Sequence, residues 1–101
     1  MANVRRVLIG DDSVWVEFKA SGYPFKLRKQ LKEANDDESI LNIIASFVTG
    51  CNLPTLDGNT LHSFSKAEEL ANVDEQITAD VIWKFYDFRS ERVREPLSKN
   101  T

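Results

Sequence analysis

Hydrophobic positions along the chain begin with a period of two and pass to a helical period. Val4 to Ile9 is rich in β-branched residues, Gly10-Asp11-Asp12-Ser13 supplies turn formers, and Val14-Trp15-Val16-Glu17-Phe18 follows with partial alternation. That order predicts a β-hairpin. Side chains alternate across a strand, so Val14, Val16 and Phe18 share one face while Trp15 and Glu17 share the other. Trp15 then either covers a second layer or is exposed. Ser21-Gly22-Tyr23-Pro24 breaks the pattern, after which Phe25-Lys26-Leu27-Arg28 fits a short third strand ahead of a helical turn from Lys29 to Ala34.

Asn35-Asp36-Asp37 is a polar interruption with good capping residues, and the pattern predicts a helix from Glu38 to Val48. At about 100° per residue, Ile40, Leu41, Ile43, Ile44, Phe47 and Val48 fall on one broad side, with Glu38, Asn42, Ala45 and Ser46 opposite. Gly50 is placed to cap its C-terminus. Thr55 to Phe64 carries an Asp57-Gly58 turn, which fits a small hairpin and an irregular loop equally well. Ser65-Lys66-Ala67-Glu68 matches a capping box, in which the serine hydroxyl accepts from the amide three residues on and the glutamate reaches back to the serine amide. Phe64, just before it, is placed to pack on Glu69 or Leu70.

A last helix is expected from Asp74 to Arg92–Arg94, stopped by Pro96, because proline disfavours helix in the residue before it. Val73, Ile77, Val81, Phe85 and Phe88 form its core stripe. Ile82, Tyr86 and Val93 point almost the opposite way, with Trp83 just beyond them. This second apolar side is either packed between other elements or is a contact surface; Trp83 and Tyr86 are residue types that carry interface energy when desolvated.

Composition narrows the classes. At 101 residues, with 42% hydrophobic and 29% charged residues, the chain has the make-up of one small globular domain with a single core and little room for a deep cleft. The domain is expected over residues 1–96, with 97–101 as a frayed tail. The net charge is -3, and Arg89, Glu91, Arg92, Arg94 and Glu95 interleave both signs, which disfavours phosphate-backbone binding. Lys26, Arg28, Lys29 and Lys32 form the one candidate basic cluster. The apolar run after Arg5 and Arg6 is too short for a signal-peptide core or a bilayer crossing, so no membrane association is expected.

Candidate chemistry is sparse. Cys51 is the only cysteine and His62 the only histidine, so an intrachain disulfide or thiolate metal cage is impossible within this chain. A reducing cytoplasm suits it. A Cys51–His62 dyad would need spatial convergence that no motif supports. Asp11, Asp12, Asp36, Asp37 and Glu38 lack the spacing of a calcium loop and read as turn and cap residues, and Gly10-Asp11-Asp12 lacks the glycines and lysine of a phosphate cradle. No catalytic, metal-binding or cofactor-binding residues are expected.

The order of an N-terminal hairpin, a basic Phe25-Lys26-Leu27-Arg28 segment and an apolar helix ending near Cys51 continues into Leu56-Asp57-Gly58-Asn59-Thr60-Leu61-His62-Ser63-Phe64-Ser65 and two further helices. It resembles the small tail assembly chaperones of long-tailed bacteriophages, where an Asp-Gly turn is followed by a hydrophobic residue, a Phe-Ser pair and a helix with Glu and Leu. Here these are Asp57, Gly58, Leu61, Phe64, Ser65, Glu69 and Leu70; Cys51-Asn52-Leu53 stands where those chaperones carry a tryptophan. The resemblance implies a non-enzymatic protein of the host cytoplasm that keeps the tape measure protein soluble until tail-tube subunits polymerise around it. Contact with the tail-tube protein and self-association as a homo-oligomer are further implications. The rival reading from the same surface is a small regulatory adaptor that binds a folded protein.

The expected fold is α+β, a small antiparallel N-terminal sheet packed against a C-terminal set of helices. Ile82, Trp83 and Tyr86 are the expected protein-binding residues, and Ile40, Ile44, Phe47, Ile77, Val81, Phe85 and Phe88 the expected core.

Overall fold

A computed structural model describes residues 4–10 and 13–94. The expected turn residues Asp11 and Asp12, the stop at Pro96 and the tail 97–101 lie outside the described residues. The fold is α+β. A three-stranded antiparallel sheet is built from β1 (Val4–Leu8), β2 (Trp15–Lys19) and β3 (Val48–Cys51), with β2 in the centre. The helices are α1 (Lys26–Glu33), α2 (Asp37–Ala45) and α3 (Glu75–Arg94), with a single 3₁₀ turn at Ala67–Leu70. A second hairpin pairs β4 (Leu53–Pro54) with β5 (Thr60–Leu61).

The first hairpin follows the alternation. Val7 opposes Val16 and Leu8 opposes Trp15, and Val16 and Phe18 are completely buried. Trp15 is half-buried, with the Arg6 guanidinium 3.7 Å above its ring on the face away from the core. Asn52 ties the far end: its side-chain oxygen accepts from the Trp15 amide at 2.7 Å and its amide group donates to the Ser13 carbonyl at 2.7 Å.

The third strand is not where the sequence pattern placed it. Lys26-Leu27-Arg28 belongs to α1, with Phe25 at its N-cap, because Leu27 and Leu31, four residues apart, are both buried while the residues between them are straight-chain helix formers. Its place in the sheet is taken by β3. Here Phe18 pairs with Val48 and Glu17 with Gly50, which leaves Thr49 as the extra residue of a β-bulge. The Thr49 hydroxyl lies 3.2 Å from the Glu17 carboxylate across that bulge.

Helix α2 is correspondingly shorter than expected. It starts at the Asp36 cap, whose carboxylate accepts from the Ser39 amide at 2.8 Å, and ends at Ala45 instead of Val48. The amides of Ser46 and Phe47 turn back to the carbonyls of Ile43 and Ile44, closing the helix without a glycine. Gly50 is therefore a strand residue and not a cap; its φ lies outside the left-handed region. The Phe47 carbonyl then accepts from the Lys19 amide at 2.9 Å, so the chain leaves α2 directly into the sheet.

The Asp57-Gly58 turn closes the β4–β5 hairpin, with Gly58 at φ 92, a conformation that favours glycine. Thr55 braces it by donating its hydroxyl to Asp57. The capping box is displaced by one residue. Lys66 is extended, so the 3₁₀ turn starts at Ala67, and the carboxylate that reaches back to the Ser65 amide, at 2.8 Å, belongs to Glu69 and not Glu68. The Ala67 amide is satisfied from α2 by the Asn42 side chain at 2.7 Å. Phe64 and Leu70 are both buried beside this turn.

Helix α3 starts where expected: the Asp74 carboxylate accepts from the Gln76 amide at 2.8 Å. Val73, Val81, Phe85 and Phe88 are buried, and Ile77 is partly buried against the same core. Of the other expected core residues, Ile44 and Phe47 are buried and Ile40 is partly buried. Phe85 meets Phe18 of β2 and Phe47 just beyond α2, so one ring joins α3 to the sheet and to the segment that follows α2.

Candidate interaction surface

The apolar positions of α3 occupy three environments in the fold. Phe85 is fully buried. Ile82 and Tyr86, one helical turn apart, are partly buried and pack on the core, with the Tyr86 ring edge-on to Phe85 at 6.4 Å. Trp83 is 69% exposed and Val93, near the end of the helix, is 54% exposed. The three expected contact residues thus adjoin one another, but two serve partly as core and one, Trp83, projects from it. Trp83 has the largest side chain among the exposed apolar residues, which also include Leu8, Phe25, Leu56 and Val93.

Side chains from α1 and from the C-terminal half of α3 border shared hollows. Arg28 of α1 and Arg89, Ser90 and Val93 of α3 line an open hollow of about 490 Å³. A second, of about 240 Å³, adds Tyr23, Pro24, Phe25 and Leu27. Phe25 is 82% exposed, with the Arg28 guanidinium 5.6 Å from its ring. A strand over Phe25-Lys26-Leu27-Arg28 would give Phe25 no such role. Its signal was the position just after Pro24, at the foot of a basic helix.

Tyr23 supports the floor of this hollow. It stacks on Phe47 at 4.5 Å, donates its hydroxyl to the Lys19 carbonyl at 2.7 Å, and lies under the Arg92 guanidinium at 4.3 Å. Burial pushes its phenol up to about 12, outweighing the opposite pull of Arg92. Arg92 also donates to the Ala20 carbonyl at 2.9 Å, so this cation is structural.

The remaining chemistry-bearing residues are dispersed. The Cys51 thiol is buried and donates to the Leu61 carbonyl at 3.2 Å, and burial raises its pKa, the reverse of what a nucleophilic thiolate needs. His62 is exposed and meets Cys51 through the backbone, its carbonyl accepting from the Cys51 amide at 2.8 Å. Asp36 and Asp57 are held below the usual carboxylate range by hydrogen bonds from Ser39 and Thr55 respectively, consistent with their cap and turn roles. Among the described residues no group of three or more metal-ligating side chains converges.

No family model, curated protein or solved structure matches the chain. Among the described residues, no helix is long and apolar enough to cross a membrane.

Proposed function

We propose that the chain is a non-enzymatic tail assembly chaperone of a long-tailed bacteriophage, and that it binds the tape measure protein in the host cytoplasm and keeps it soluble before the tail tube polymerises. The observation that carries the binding part is the exposed indole of Trp83 beside the half-buried Ile82 and Tyr86 on a helix whose opposite side is fully buried. A rigid helix anchored by Val81, Phe85 and Phe88 presents these side chains with little ordering cost on binding. Tryptophan and tyrosine combine a large apolar body with a polar tip, which suits docking of an amphipathic helical segment. The phage assignment rests on the resemblance carried by Asp57, Gly58, Leu61, Phe64, Ser65, Glu69 and Leu70.

Co-expression with a tape measure protein tests the reading. The wild-type chain is expected to retain that long helical protein in the soluble fraction, and Trp83→Ala with Tyr86→Ala to lose it while keeping native circular dichroism. Unchanged client solubility with the folded double variant would refute the surface. Co-purification of a defined, folded host enzyme instead of a long helical client would favour a regulatory adaptor.

A further inference from the structure

Helix α1 carries an exposed basic face that the apolar side of α3 does not explain. Phe25, Arg28, Lys29 and Lys32 recur at the spacing that brings side chains onto one helical face, and Phe25 already has helical dihedrals. This face is turned away from the buried pair Leu27 and Leu31, and all four residues are exposed. Within its eight residues α1 holds four cations, Lys26, Arg28, Lys29 and Lys32, and a single carboxylate, Glu33, in a chain whose net charge is -3. The ion pairs formed among the described residues are Arg5–Glu91, Arg6–Glu17, Lys66–Glu68 and Lys84–Asp80, none of which neutralises α1.

Like charges one helical turn apart, such as Arg28 and Lys32, destabilise the helix that bears them. The stripe therefore works against the helix that bears it, and an opposite charge laid along it would relieve the repulsion. Between the cations lies apolar material. Phe25, Lys26, Arg28, Lys29 and Lys32 surround a hollow of about 490 Å³, and Arg28 is shared with the adjoining hollow formed with Arg89 and Val93.

We infer that the basic face of α1, together with the hollow that Arg28 shares with α3, binds an acidic amphipathic helix, with carboxylates on Arg28, Lys29, Lys32 and Arg89 and an apolar side chain against Phe25 and Val93. The inference rests on reading the chain as a binder of helical segments and adds to it the charge of the segment selected. A helical protein segment fits better than a nucleic acid. The stripe from Phe25 to Lys32 is only about 10 Å long at the rise of an α-helix, and a polyanion extending past it meets a chain of net negative charge.

The test uses a fluorescent synthetic amphipathic peptide of about four helical turns with glutamates flanking a leucine stripe, a matched peptide with lysines for the glutamates, and a single-stranded oligonucleotide. Anisotropy at low salt is expected to show the acidic peptide binding about tenfold more tightly than the basic one, a preference that shrinks as salt rises. Arg28→Glu with Lys32→Glu, both at exposed positions, is expected to invert the preference towards the lysine peptide. Arg28→Gln with Lys32→Gln should abolish it without charge reversal. Trp83→Ala with Tyr86→Ala is expected to leave the charge preference in place even where it releases the tape measure client, so the two surfaces fail separately. Equal binding of the two peptides, a preference that survives both α1 variants, or tighter binding of the oligonucleotide than of the acidic peptide would overturn the inference.

Discussion

The ring of Phe85 meets the ring of Phe18 edge-on, with centroids 5.3 Å apart and planes at 68°. Both side chains are fully buried, and the contact fastens the central strand of the sheet to the helix that carries the candidate surface. Because Phe85 also stacks near Phe47 at 6.2 Å, its removal opens a cavity at the junction of three elements. Phe85→Ala is expected to destabilise the domain by about 3–5 kcal/mol, and Trp83→Ala by far less. Urea denaturation compares the two; similar losses would mean that Trp83 is a core residue.

Asn52 makes a second junction that packing alone does not supply. Its side chain bonds the Trp15 amide and the Ser13 carbonyl, while its own amide donates to the Trp15 carbonyl at 3.2 Å. Asn52→Leu removes both side-chain bonds at a half-buried site and is expected to cost about 1–3 kcal/mol. The measurement is again chemical denaturation, with amide exchange at Trp15 as the local reporter. Wild-type protection of that amide in the variant would contradict the role.

How far the chain could be read in advance depends on whether the signal is local. The first hairpin and the start of α3 near Asp74 were legible because alternation at Val14, Val16 and Phe18 and the helical spacing from Val73 onward are local signals. The third strand was misplaced because Phe25-Lys26-Leu27-Arg28 and Val48-Thr49-Gly50-Cys51 are each short enough to suit helix or strand, and pairing with β2 decides between them. The capping box moved to Glu69 because the Asn42 side chain, distant in sequence, satisfies the Ala67 amide. On the candidate surface, helical spacing places Ile82, Trp83 and Tyr86 near one another, and tertiary packing separates the exposed indole from its half-buried companions. Phe25 was invisible until α1 was known to be a helix.

Tyr23 gives the fold an alkaline limit. Its phenol is raised from 10.0 to about 12 in the folded chain, so the neutral form is favoured by folding. The stabilisation is complete below pH 10.0 and is lost as the pH rises towards about 12. Thermal denaturation across that window should show the wild type losing stability more steeply than Tyr23→Phe. Parallel curves would contradict the linkage.

Asp36 acts at the acid end with the opposite sign. Hydrogen bonds from Ser39 hold its carboxyl below the ordinary 3.8, so its contribution is present above that value and is lost as the pH falls through the lowered one. Asn also caps helices but does not titrate there. The difference in melting temperature between wild type and Asp36→Asn at neutral pH is therefore expected to close on acidification; a constant difference would remove Asp36 from the acid transition.

The proposed docking of a helical client on the outer side of α3 is open to test through Trp83 itself. The chain has two tryptophans, and Trp15→Phe leaves Trp83 as the sole indole reporter. In the free protein its emission should be that of a solvent-exposed indole, in keeping with its 69% exposure. Titration with the tape measure protein should shift that emission to the blue and shield it from iodide quenching, in step with complex formation followed by co-sedimentation. Complete complex formation with Trp83 emission and quenching unchanged would contradict the account.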